Sequence, residues 1–141
     1  RLRLVTIGAG PIEGLAVPHD RLAWDEKGEG AALGEIDIGV MPLTDTPWER
    51  GKCGYKLVQY MAAGRPVIAS AVGVNCEIVD PQTGLLVSGQ DGWATALAEL
   101  ANDPARRRMM GAAARLKAAR RYSVQANAPR VIGAFASVLQ R

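Results

Sequence analysis

The sequence predicts an α/β domain, a parallel sheet with helices packed on both of its faces. Short apolar or β-branched runs alternate along the chain with amphipathic stretches, the order that right-handed βαβ crossovers require. The segments 36–41 and 66–70 are near-continuously apolar, as in strands buried on both faces. Alanine, glycine, valine and leucine dominate while aromatic residues make up 5%, a balance that suits close packing of helices on a sheet.

The elements follow in order. Leu2–Ile7 reads as a strand closed by Gly8-Ala-Gly-Pro11. Gly8 and Gly10 have the spacing of a dinucleotide-binding turn, but that motif needs a helix opening on the second glycine, and Pro11 stands there instead. Leu15 to His19 is a loop in which His19, the single histidine, is a polar loop residue. Arg21–Trp24 is a second strand. Asp25 caps a helix over 26–34, with Glu26 and Glu29 on its solvated side. Ile36–Met41 is a buried strand ended by Pro42, and 43–50 is a loop in which Trp48 either plugs the surface, the favoured reading, or covers a ligand. A helix opens near Gly54 and turns Leu57, Val58 and Met61 inward. Strand Pro66–Ser70 follows, then a short helix Cys76–Val79 and a strand Leu85–Val87. Asp91–Asn102 is amphipathic, with Trp93, Ala96, Leu97 and Leu100 on one face. Asp103 and Pro104 cap the next helix, which runs to about Arg121 and whose Arg106-Arg-Arg108 run is a solvated face. A last helix starts near Ala128, because Pro129 fits only a first turn. Val131, Ile132, Phe135 and Val138 form its apolar stripe.

Bulk properties narrow the function. A chain of 141 residues, 48% hydrophobic, makes one globular domain over 1–141. A net charge of +3 and scarce stacking aromatics speak against nucleic acid as a partner. Cys53 and Cys76 have no metal-ligand spacing and fit a reducing compartment. No run reaches membrane-spanning length and no signal peptide is recognisable, so a cytoplasmic location is expected. The chain opens on Arg1 inside a strand, which predicts that it is a piece of a longer protein.

The stretch from Glu49 to Gly64 carries the most chemistry. Gly51 and Gly54 bracket Lys52 and Cys53, and small residues there allow a ligand close to the backbone. The first turn of the following helix offers free N–H groups, which favour an anion. Lys52 and Lys56 flank that helix start, where a cation opposes the helix dipole unless an anion lies between. The alternative is a solvated lysine pair.

Taken together, Asp37-Ile-Gly-Val-Met-Pro42, Gly51-Lys-Cys-Gly54, Gln59 to Ile68, Val72-Gly73, Glu77-Ile-Val79 and Thr83-Gly-Leu-Leu-Val87 resemble the C-terminal, donor-binding domain of family 4 (group 1) glycosyltransferases. The resemblance implies one Rossmann-like half of a GT-B architecture. It implies a nucleotide-diphosphate sugar as partner, with its phosphates held by the backbone of Cys53, Gly54 and Tyr55. It implies retaining sugar transfer, without a cofactor or metal, to an acceptor held by an N-terminal domain absent from this chain. A parent protein peripheral to a membrane is compatible with it. Lys52 and Lys56 would stabilise the leaving diphosphate. Ala23 and Trp24 would lie by the base. The family pattern has two glutamates separated by seven residues. Here the sugar-contacting one is replaced by Gly51 and the ribose-gripping one by Gln59, which still hydrogen-bonds as a neutral partner. The family's first, central strand is also missing. The gap is expected to be closed by an altered strand order, by self-association or by residues outside the chain. Two alternatives stand beside this reading, a non-catalytic module acting in assembly and half of a nucleotide-sugar epimerase.

Overall fold

A computed structural model of the chain describes residues 2–139. In order, the elements are β1 (Leu4–Ile7), β2 (His19–Leu22), α1 (Glu29–Gly34), β3 (Gly39–Met41), α2 (Pro47–Arg50), α3 (Tyr55–Ala62), β4 (Val67–Ser70), α4 (Asn75–Ile78), β5 (Gly84–Val87), α5 (Gly89–Asn102), α6 (Pro104–Tyr122) and α7 (Val124–Leu139). Every strand pairing among the described residues is parallel.

The strands form two sheets, β1-β2 and β3-β4-β5. No altered strand order joins them. The backbone shows where each is open. Leu4 N–H bonds Pro18 O and Gly8 N–H bonds Leu22 O, both at 2.9 Å, so Val5 and Ile7 turn their peptide groups away from β2. Gly39 N–H bonds Pro66 O at 3.0 Å, so Ile38 and Val40 turn theirs away from β4. Among the described residues the edge of β1 away from β2 and the edge of β3 away from β4 are therefore unpaired.

β4 organises the core. All of its residues are buried, and its side chains alternate between two helical layers. Val67 and Ala69 pack with Leu57 and Met61 of α3 and Ala114 and Ala118 of α6. Ile68 packs on the opposite face with Val87, Ala96 and Leu100 of α5, and Met110. Each fully buried Leu or Met contributes about 1.5–3 kcal/mol of transfer free energy. Helices thus cover both faces of the larger sheet. Two side-chain contacts of α3 and one bond from Arg65 reach the β1-β2 half, where the Arg65 guanidinium donates to the Gly34 carbonyl.

Several expectations are corrected. The second strand is His19–Leu22 rather than Arg21–Trp24, so Ala23 and Trp24 lie just beyond its carboxyl end. His19 sits in that strand, with Nε2 2.9 Å from Thr6 Oγ1 on β1. The first helix starts at Glu29. Asp25 instead closes the preceding turn by accepting from Gly28 N–H at 2.8 Å. The loop 43–50 contains α2, capped by Thr46 Oγ1 on Glu49 N–H at 3.2 Å. Trp48 is 81% exposed and plugs nothing.

The last helix begins at Val124, with Pro129 inside it. Ser123 Oγ accepts from Ala126 N–H at 3.1 Å, and this cap starts the helix upstream of the proline. Pro129 then leaves the Gln125 carbonyl without its helical donor. The stripe of Val131, Ile132, Phe135 and Val138 is exposed. Among the described residues no helix is long and apolar enough to cross a membrane.

Candidate functional site

The site forms around the start of α3, at the carboxyl end of β3. Gly54 is its N-cap, at φ 68° in the left-handed region that favours glycine. It is also buried, and a Cβ there would lie 2.3 Å from Ile78 Cδ1 on α4. No side chain caps this helix. The N–H groups of Cys53, Gly54, Tyr55 and Lys56 donate to nothing among the described residues. They form a donor cluster at the positive end of an eight-residue helix. The surrounding loops are fixed from below. Leu43 N–H donates to Ser70 Oγ at 2.8 Å, and Asn75 Nδ2 donates to Ser70 O at 3.1 Å, which joins the exits of β3 and β4. Arg50 clamps Asp45 with bonds of 2.6 and 2.9 Å. The Arg50 guanidinium holds the Asp45 carboxyl below its ordinary range, mainly through this hydrogen bond.

The two lysines are not free cations. Lys52 Nζ lies 2.9 Å from Glu49 Oε2, and Lys56 Nζ lies 3.7 Å from Glu29 Oε1. The first is an ion pair without aligned hydrogen-bond geometry, since Glu49 Oε2 is buried and accepts no hydrogen bond. Each cation of the expected phosphate-binding pair is therefore already matched by a carboxylate.

Glu29 gathers the rest of the site. It was expected on a solvated face. Instead its side chain is only 21% exposed and accepts from two groups that come from separate elements. Gln59 Nε2 of α3 donates to Oε2 at 2.8 Å, and Trp24 Nε1 donates to Oε1 at 3.2 Å. Gln59 Oε1 is buried and has no partner. The Trp24 indole stays 57% exposed while its base is fixed against Gly8, where a Cβ would sit 2.9 Å from Trp24 Cβ.

Of the residues singled out from sequence, Cys53, Gly54, Tyr55, Lys52, Lys56, Gln59 and Trp24 converge on this shelf. Cys53 is exposed, and Tyr55 is 62% exposed. Gly51 closes α2 as its C-cap and, lacking a side chain, adds none here. Ala23 lies beside Trp24 and is exposed. Sequence reasoning missed that Glu29 and Glu49 claim the two lysines. Glu49 lay within reach of a helix-spacing argument, three residues before Lys52. Glu29 gave no such signal, because Gln59 is 30 residues away in sequence. The site is an open shelf. A cavity of about 450 Å³ lies elsewhere, between α6 and α7, lined by Arg120, Arg121, Tyr122, Ala126, Asn127 and Arg130.

Residues 2–103 match the family model described as glycosyl transferases group 1. The chain is 30% identical to a D-inositol 3-phosphate glycosyltransferase of Stackebrandtia nassauensis over 156 aligned positions, which cover 100% of this chain and 35% of that protein. It is 45% identical over 64 positions to a GDP-mannose-dependent monoacylated alpha-(1-6)-phosphatidylinositol monomannoside mannosyltransferase of Corynebacterium glutamicum, across 44% of this chain and 17% of that one. Among solved structures, sucrose-phosphate synthase from Thermosynechococcus elongatus superposes with a TM-score of 0.76 at 27% identity, over 86% of this chain and 30% of that one. Anabaena HepE, solved in complex with UDP and glucose, superposes with a TM-score of 0.74 at 19% identity, over 88% of this chain and 33% of its own. The chain thus spans about a third of the length of the Stackebrandtia relative.

Proposed function

The chain belongs to the group 1 glycosyltransferases, and on that premise we propose that it is the donor-binding part of a retaining enzyme that uses a nucleotide-diphosphate sugar. The carrying observation is the cluster of unbonded N–H groups at Cys53, Gly54, Tyr55 and Lys56, beside Lys52. A diphosphate on that cluster would satisfy donors that no side chain caps, and it would meet the positive end of α3. As the sugar–phosphate bond breaks, negative charge grows on the leaving diphosphate, and fixed donors in that position stabilise it. The Lys52 and Lys56 ammonium groups add positive charge once the anion draws them from Glu49 and Glu29. HepE, which shares this fold, was solved with UDP and glucose, and that supports a nucleotide-diphosphate sugar as the ligand class. In this reading a further domain holds the acceptor, and the protein works in the cytoplasm.

Titration calorimetry of the intact protein with UDP, GDP and ADP tests the proposal. At least one should bind, and a Lys52→Ala, Lys56→Ala double variant should bind it about tenfold or more weakly, as expected for lost charge-assisted contacts. No binding of any of the three would overturn the reading. One observation favours a second reading, a non-catalytic module of the same fold. Gly51 brings no carboxylate to the sugar side of the shelf. Transfer activity of the intact protein toward a panel of sugar nucleotides separates the two.

A further inference from the structure

We infer that Glu29, rather than Gln59, is the group that takes the ribose hydroxyls of the bound nucleotide, with Gln59 and Trp24 as positioning residues that aim its carboxylate. The inference rests on the nucleotide-binding reading of the same shelf.

Hydrogen-bond capacity separates the two side chains. A ribose cis-diol offers two O–H donors, and an ionised carboxylate is an acceptor with about four lone-pair sites. Glu29 has two of its sites filled, one per oxygen, by Gln59 Nε2 at 2.8 Å and Trp24 Nε1 at 3.2 Å. Lys56 Nζ stands off at 3.7 Å. Each oxygen therefore keeps a lone pair, and the side chain remains 21% exposed, enough to be reached from the shelf.

Gln59 is placed differently. Its Nε2 is committed to Glu29, and its Oε1 is buried with no accessible surface. Neither polar end of the Gln59 amide faces a ligand. The amide works from behind, as a donor that fixes the Glu29 carboxylate plane. Trp24 fixes the other oxygen and leaves an exposed indole face beside it, a stacking surface of the size of a base. Lys56, in the first turn of α3, brings the carboxylate within one side-chain length of the unbonded N–H cluster. Stacking surface, diol acceptor and phosphate donors then lie in the order in which base, ribose and diphosphate follow one another in a nucleotide.

The test uses the intact protein and pairs each of UDP, GDP and ADP with its 2′,3′-dideoxy form, read by titration calorimetry. For the nucleotide that binds, Glu29→Ala should weaken the ribonucleotide about tenfold or more relative to its effect on the dideoxy form, because only the ribonucleotide has a diol to lose, while release of Lys56 and Trp24 acts on both ligands alike. Gln59→Glu alone should weaken the ribonucleotide, since it sets two carboxylates where a 2.8 Å bond now stands. An equal loss for both ligands would mean that Glu29 only supports the loop, and that result overturns the inference. So does ribonucleotide binding that survives Glu29→Ala, which leaves the nucleotide reading itself intact. Failure of the wild type to bind any of the three ribonucleotides overturns that reading and this inference together.

Discussion

Lys117 Nζ donates to the Ile78 carbonyl and to Asp80 Oδ2, each at 2.7 Å, and so fastens α6 to the turn that follows α4. Burial works to raise the Asp80 carboxyl, but the Lys117 ammonium, the Gln82 N–H and Thr83 together hold it below its ordinary 3.8. A carboxyl lowered in the folded state releases its proton more readily there than in the unfolded chain. Its stabilisation is complete above the unfolded value and is lost as pH falls through the folded one. Asp80 is 40% exposed, which limits the effect. Asp80→Asn should destabilise the protein by about 1 kcal/mol at neutral pH. The gap to wild type should close as pH falls through the lowered folded-state value of Asp80. Urea denaturation across a pH series measures both.

Glu49 competes with any anion for Lys52. Removing its charge while keeping its shape leaves the ammonium, 42% exposed, to a phosphate alone. Glu49→Gln should therefore tighten nucleoside diphosphate binding about two- to fivefold at low salt, the scale of a partly exposed ion pair. The gain should shrink as ionic strength rises. Calorimetry at two salt concentrations shows it, and weaker binding in the variant would mean that Glu49 positions the lysine instead of masking it.

Gly54 faces two independent penalties for a side chain. The left-handed conformation costs a non-glycine residue about 1–2 kcal/mol, and overpacking against Ile78 adds about 1–3 kcal/mol. Gly54→Ala should cost about 2–4 kcal/mol by chemical denaturation. The relieving variant Ile78→Val, combined with it, should recover part of the packing cost and none of the conformational cost.

Where local pattern decides structure, the chain was legible. The two-faced burial of β4, the inward face of α5 and the Asp103-Pro104 start of α6 follow from apolar spacing and cap chemistry. So did the unbonded N–H groups in the first turn of α3, since a helix opening near Gly54 leaves its first donors without a helical partner. Errors arose where contacts distant in sequence override local signals. Pro129 reads as a helix start until Ser123 supplies an earlier cap. His19 reads as loop until it pairs beside Leu4. Glu29 reads as solvated because the groups that claim its carboxylate come from β2's exit and from α3, and no periodicity connects them.

Among the described residues, the polar ties across the seam between the two sheets are Gln59 and Lys56 to Glu29, and Arg65 to the Gly34 carbonyl. Two of the three end on one carboxylate of the candidate site. The shelf is therefore also a clasp between two sheets that share no strand pairing among the described residues. A molecule that touches both Glu29 and the start of α3 would cross-link the two halves, so its binding free energy would be drawn on whenever β1 and β2 open. Amide exchange in Leu4–Ile7 would then slow on occupancy although those residues contact no ligand, and the smaller sheet would register the state of a site built largely on the larger one.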